Sequence, residues 1–163
     1  MDNWHKSQRG FFAGQLYERM KDDPKIVVIT ADLGFGLFNR IRDDFPERFI
    51  NVGASEQLAI GVAVGYALEG YKPFVYTITS FFLRCAESIS LYLKNEKMPV
   101  RLVGGGRDDD YKHDGVSHFG YEAQKFIKQM DFVQGYPETK EVVPEIVNYM
   151  VDNDTPSFLS VRR

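Results

Sequence analysis

The sequence is short of cysteine, of basic excess and of long apolar runs, and each shortage closes off a class of protein. One cysteine, Cys85, stands in 163 residues. A lone thiol closes no internal disulfide, so the expected setting is a reducing, cytoplasmic one, with Cys85 an inert buried residue. Lys and Arg number 20 against 23 Asp and Glu, a net charge of −3. That balance argues against nucleic-acid binding and against a basic membrane-facing surface. No apolar stretch approaches the roughly 18 residues of a spanning helix, and no apolar block follows the N-terminal charges as in a signal peptide. Gly104-Gly105-Gly106 lacks both a Walker lysine and a dinucleotide fingerprint. His113, Asp114 and His118 lack zinc-motif spacing and an evident fourth ligand, so no metal is expected on residues of this chain.

What is present reads as one α/β domain over residues 1–163. His5 to Lys21 predicts an amphipathic helix with Phe11, Phe12, Leu16, Tyr17 and Met20 on one side. Ile26-Val27-Val28-Ile29, within Lys25 to Thr30, is a short continuous apolar run, the mark of a buried parallel strand. Further strands are expected at Phe49–Val52, Phe74–Ile78, Val100–Val103, near Phe132 and at Ser157–Val161. Helices are expected from Ser55, as N-cap, to about Glu69, at Phe81–Lys94, Tyr121–Gln129 and Glu141–Val151. Alternating strands and helices predict a three-layer α/β/α fold around a mainly parallel sheet. The helix after Ser55 has hardly any polar face, and Gly61 and Gly65 are four residues apart. Such a helix needs cover on all sides. A domain this small scarcely provides it, so a subunit interface is expected there.

In parallel sheets, ligands bind beyond the carboxyl ends of the strands. The segments placed there are 31–36, 53–57, 79–84 and 104–118, and they hold the unusual residues. Glu56 opens the apolar helix. It reads either as a carboxylate favoured by the helix dipole or as a poorly solvated group that handles a proton. Phe81 reads as a core residue or a ring platform, Phe82 as core. Asp32 reads as a loop carboxylate, His118 as a loop histidine and Asp114-Gly115 as a turn. The run Arg107-Asp108-Asp109-Asp110 reads as a solvated loop or as a charge cluster that repels phosphate.

The ordered set Asp32-Leu33, Phe45-Pro46-Glu47-Arg48-Phe49-Ile50-Asn51-Val52-Gly53-Ala54-Ser55-Glu56-Gln57, Glu69-Gly70-Tyr71-Lys72-Pro73, Ser80-Phe81-Phe82 with Arg84, Pro99-Val100, Asp114-Gly115-Val116-Ser117-His118 and Thr155-Pro156-Ser157-Phe158 to Arg163 resembles the pyrimidine-binding domain of the transketolase family. The similarity spans nearly the whole chain. It implies the thiamine diphosphate-binding fold and a catalytic Glu56 that bonds N1′ of the cofactor's aminopyrimidine, favouring its imino tautomer. It implies that Phe81 packs on that ring and that Asp32 lies near the thiazolium. It places His118, as a catalytic and substrate residue, and Asp114 against ketose oxygens. It implies that Arg9 and Arg163, and Arg84 where some relatives carry such an arginine, hold a sugar phosphate. The guanidinium fork suits that group.

The family's diphosphate and its Mg2+ or Ca2+ are held by a second domain with a Gly-Asp-Gly…Asn signature. Gly-Asp-Gly does not occur here. The expected protein is therefore one subunit of a heteromeric, α2β2 transketolase-like enzyme that transfers a two-carbon ketol unit between sugars or sugar phosphates. The alternatives are a subunit of a thiamine diphosphate-dependent 2-oxo acid decarboxylase or dehydrogenase, and a non-catalytic regulatory relative. Family members often carry histidine where Gly106 stands, so a substrate contact is expected to differ.

Overall fold

The computed structural model describes residues 6–163. The apolar run folds as β1 (Ile26–Thr30), buried at every position. It lies inside a six-stranded sheet with β2 (Phe49–Asn51), β3 (Lys72–Ile78), β4 (Arg101–Gly105), β5 (Val133–Gly135) and β6 (Ser157–Val161). The order is β2-β1-β3-β4-β6-β5, and every pairing is parallel. A parallel sheet needs cover on both faces, because each crossover lays a helix on one of them. Successive strand residues point to opposite faces. Ile26 and Val28 join one core with Phe74, Tyr76, Val103 and Leu159. Val27 and Ile29 join the other with Val75, Leu102 and Phe158.

The first core is closed by α1 (Gln8–Asp22), α2 (Asn39–Asp44) and α6 (Val143–Asp152). Phe12, Leu16 and Met20 are fully buried there, and each such side chain contributes about 1.5–3 kcal/mol relative to exposure. The hydroxyl of Ser7, the N-cap of α1, accepts from the Gly10 amide at 3.3 Å. The expected start at His5 lies outside the described residues. The second core is closed by α3 (Glu56–Leu68), α5 (Tyr121–Lys128) and the segment 79–95. That segment was expected to be one helix from Phe81. It is instead a 3-10 stretch, Thr79–Cys85, a single α turn, α4 (Ala86–Ser88), and a π-helix, Ile89–Asn95. Phe82, Cys85, Ile89 and Leu93 still reach the core by spacings of three and four. Apolar periodicity cannot distinguish these windings. Two further elements, α2 and a 3-10 turn at Pro46–Arg48, were not expected; only Ile41 is buried in them.

Among the described residues, α3 is covered on one side only. Ala59, Ile60, Ala63, Val64 and Ala67 face the sheet, while Leu58 is 52% and Leu68 70% exposed. Gly61 and Gly65 lie on the open side, and a Cβ built on either meets nothing within 4 Å. Ser55 holds the N-cap position, but its side chain makes no capping hydrogen bond, contrary to the expected cap.

β1 sends the chain outward to β2 and receives it back at β3, so the sheet order reverses between β1 and β3. At that point the connections leave by opposite faces and a crevice opens at the carboxyl edge. Arg101, fully buried at the opposite edge, donates to the carbonyls of Pro99, Met150 and Asn153 and pairs with Asp154. That arginine is a structural tie. Among the described residues no helix is long and apolar enough to cross a membrane.

Candidate functional site

Glu56 is the first residue of α3 and only 5% exposed. Its Oε1 accepts a hydrogen bond from Arg84 Nη1 at 2.7 Å. The Arg84 guanidinium lies 4.1 Å from the ring centroid of Phe81. Phe81 in turn meets His118 edge-on, ring centroids 5.2 Å apart. Residues after β3, at the start of α3 and in the loop after β4 are thus drawn into one chain of contacts. Phe82, next to Phe81, is fully buried core, as its position on the other side of the 3-10 turn requires.

The contacts continue through a residue the sequence reading did not single out. Tyr111 stands with its ring 6.4 Å from His118 and 6.2 Å from His113. Its hydroxyl accepts from Arg9 Nη1 at 2.8 Å, and Arg163 lies 5.3 Å over its ring. The position of Tyr111 follows from Gly106. That glycine has φ +82°, and a Cβ on it would fall 2.3 Å from a Tyr111 ring carbon. The tyrosine fills the volume that a side chain at 106 would take. Gly105 is equally tight, with the Tyr76 hydroxyl 2.5 Å from its would-be Cβ. Burial pushes the Tyr76 phenol up to about 12, with Tyr111 adding and Arg9 opposing, so it remains protonated. The glycine run was the one signal in the sequence that large side chains crowd this strand end.

Arg163 Nη1 lies 2.7 Å from His113 Nε2, and the same nitrogen is 3.2 Å from Asp114 Oδ2. One ring nitrogen accepts from the arginine or donates to the carboxylate, so these contacts alternate with the tautomer. Asp114 therefore pairs with His113, not with His118, whose Nδ1 faces Ser117 Oγ at 3.1 Å. Asp32 stands apart. It is exposed just after β1, at φ 54°, with its amide donating to Asn51 Oδ1 at 2.9 Å. No contact ties it to the other candidates among the described residues. Arg9 Nε is buried without a hydrogen-bond partner among the described residues.

The acidic run is neither a plain solvated loop nor a free block of negative charge. Asp108 and Asp110 both pair with Arg162, at 3.0 and 3.1 Å. Asp110 also accepts from the amides of Arg107 and Arg163. Arg107 is buried and donates to the carbonyls of Pro137 and Ser160. Burial, and then the nearby Arg162, lower its pKa, against which Glu138 and the aspartates act. These bonds fasten the loop after β4 to the end of β6, where Arg163 follows. Among the described residues no group of three or more His, Cys, Asp or Glu is arranged to hold a metal ion.

A buried carboxyl group and an aromatic ring, joined through Arg84, thus stand together beyond the carboxyl ends of the strands. Residues 6–163 match the family described as "Transketolase, pyrimidine binding domain". An "Uncharacterized 33.6 kDa protein in fasciation locus" of Rhodococcoides fascians is 39% identical over 109 residues, 66% of this chain and 35% of that protein. The 1-deoxy-D-xylulose-5-phosphate synthase of Clostridium perfringens is 33% identical over 141 residues, 85% of this chain and 22% of that enzyme. The chain thus matches 35% and 22% of these relatives' lengths. A solved structure described as "Split gene transketolase, inactive beta4 tetramer" superposes with TM-score 0.84 at 27% identity, covering 96% of this chain and 51% of that one. The transketolase of Campylobacter jejuni superposes with TM-score 0.85 at 18% identity over 96% of this chain and 25% of its own, a likeness of fold.

Proposed function

The chain belongs to the transketolase pyrimidine-binding domain family, and on that premise we propose that it supplies the aminopyrimidine half of a thiamine diphosphate site whose diphosphate half stands on a separate subunit. The observation that carries the reading is Glu56, a carboxylate 5% exposed at the head of α3, with Phe81 reached through their shared contact with Arg84. These residues fit the group: a carboxyl group that can share a proton with a ring nitrogen, and an aromatic face for the ring.

Bound thiamine diphosphate supplies an electron sink that lets a carbon–carbon bond beside a carbonyl break. Glu56 holds a hydrogen bond or a proton at N1′. Burial keeps water from competing for that carboxylate. Phe81 orients the ring. His118, against the edge of Phe81, bonds a sugar oxygen and moves a proton there. Asp114 and His113 bracket the same approach, and Asp32 borders the thiazolium side. Arg9 and Arg163 hold the far end of the sugar, with a phosphate where the substrate carries one. Arg84 is a third cation for that role. Mg2+ or Ca2+ belongs to the partner, which on this reading carries Gly-Asp-Gly…Asn in an α2β2 assembly. The uncovered apolar face of α3 and the likeness to a split-gene transketolase support a separate partner. The reaction on this reading is transfer of a two-carbon ketol unit between sugars.

A second reading keeps the half-site and makes the donor a 2-oxo acid. Arg84 favours it, because a half-exposed guanidinium beside the site suits a substrate carboxylate. A ketose and a 2-oxo acid offered to the reconstituted enzyme separate the two readings.

The test of the half-site is co-expression with a neighbouring gene product carrying the diphosphate signature. Thiamine diphosphate and magnesium are then titrated by calorimetry into each chain, the mixture and a mixture with Glu56→Gln. Binding is expected in the mixture only. The Glu56→Gln mixture should bind cofactor yet lose exchange of the C2 proton, followed by NMR. Tight binding of the whole cofactor to this chain alone would overturn the half-site.

A further inference from the structure

Arg84 differs from the other well-anchored arginines of this chain. Arg101 and Arg107 are buried and donate to several backbone carbonyls. The Arg84 side chain is 56% exposed, and the carboxylate it pairs with is 6% exposed. Its guanidinium engages two groups among the described residues, Oε1 of Glu56 at 2.7 Å and the Phe81 ring at 4.1 Å. The carboxylate is therefore the fixed member of the pair and the cation the movable one.

A guanidinium is planar, offers N–H donors at its edge and stacks on aromatic faces. An aminopyrimidine is also planar, with ring-nitrogen and amino groups at its edge. On the reading above, from which this inference proceeds, that heterocycle needs the Glu56 carboxylate and the Phe81 ring, and Arg84 is already on both. The pairing also has a physical motive. A carboxylate buried without a partner carries a large desolvation penalty.

We propose that Arg84 is a placeholder: without cofactor its guanidinium occupies the aminopyrimidine subsite and keeps Glu56 paired, and it moves off Glu56 toward the substrate approach when the ring enters. Entry exchanges the guanidinium for a ring nitrogen that shares a proton with Glu56, so the carboxyl group is never left bare. The competing contacts are an ion pair with one exposed member and an exposed cation–ring contact. Together they weaken ring binding by about tenfold.

The experiment uses the full chain and the cofactor's ring alone, 4-amino-5-hydroxymethyl-2-methylpyrimidine, titrated by calorimetry or ligand-observed NMR. The proteins are wild type, Arg84→Met, Arg84→Lys and Arg84→Met with Glu56→Gln, each checked for a native melting transition. Arg84→Met, which keeps the stem and loses the planar cation, should bind about tenfold more tightly than wild type. Arg84→Lys should fall between them. Added methylguanidinium should compete with the ring in Arg84→Met and return its affinity toward the wild-type value. Equal or weaker binding by Arg84→Met, no binding by either protein, or no effect of methylguanidinium overturns the placeholder. The double variant reads the subsite separately. Loss of binding there supports Glu56 as the ring's partner. Undiminished binding overturns the Glu56 subsite, whatever Arg84 does.

Discussion

Replacing both Gly61 and Gly65 by alanine should move two properties in opposite directions. Each glycine lies on the open side of α3, and its added methyl meets nothing within 4 Å in this chain. In a helix interior glycine costs roughly 1 kcal/mol relative to alanine, so the double variant should stabilise the isolated chain by about 1.5–2 kcal/mol. For a protein of this size that raises Tm by about 3–8 °C. If the open face packs closely on a partner, the same methyl groups overfill the contact. Overpacking costs roughly 1–3 kcal/mol per site, which weakens assembly by about 30-fold or more. Urea and thermal unfolding of the chain at high dilution give the first quantity. Sedimentation equilibrium with the co-expressed partner gives the second. Destabilisation of the isolated chain would mean that the face is not open. Unchanged association would mean that the glycines are not the point of approach, and the interface argument would fail.

The remaining predictions concern local chemistry. Gly106→Ala places an L-residue at φ +82° and drives its methyl into the Tyr111 ring, displacing the hydroxyl from Arg9. The loss should be about 2–4 kcal/mol in urea unfolding, and a loss below about 0.5 kcal/mol would refute the packing described. The Asp23 carboxyl is raised by burial, but hydrogen bonds from Lys72 and from the Lys25 amide outweigh this and hold it below the ordinary range. A depressed folded pKa gives stability that is present above the unfolded value, roughly 3.9, and is lost as pH falls through the lower folded value. Lys72→Met should therefore shift the acid-unfolding midpoint upward, and an unchanged midpoint would discount the pair. Burial, then the nearby Glu56, push the Cys85 thiol up to about 12, against Arg84. Ellman's reagent should find no reactive thiol in the native chain at pH 8 and one after denaturation, and a fast native reaction would contradict its burial.

The fold was legible where one physical rule dominated. Ile26-Val27-Val28-Ile29 has apolar residues at every position because both faces of the sheet are covered, and that pattern has few other meanings. The segment after Thr79 was legible as buried but not in its winding. Phe82, Cys85, Ile89 and Leu93 suit an α-helix as well as the 3-10 and π turns that carry them. α2 left no trace, since Asn39–Asp44 buries only Ile41. In the site, Glu56 was conspicuous as a charge opening an apolar helix, and its neighbours Phe81 and Arg84 follow a strand. Tyr111 was not conspicuous. An aromatic residue in a polar loop has no period, and its role comes from long-range contacts with Arg9 and Arg163. The acidic run misled for the same reason, because its counter-ion Arg162 is some fifty residues away.

Gly106 and Tyr111 behave as a single quantity of volume divided between two positions. The ring at 111 stands where a side chain at 106 would begin, so each position determines what the other tolerates. Neutral drift at 106 alone is closed, and a lineage departing from this arrangement has to change both together or shrink Tyr111 first. Redesign of the site's floor inherits the same rule. A new functional group at 106 needs a background that has already given up the ring, releases Arg9 as the by-product, and still carries the strain of a side chain at φ +82°.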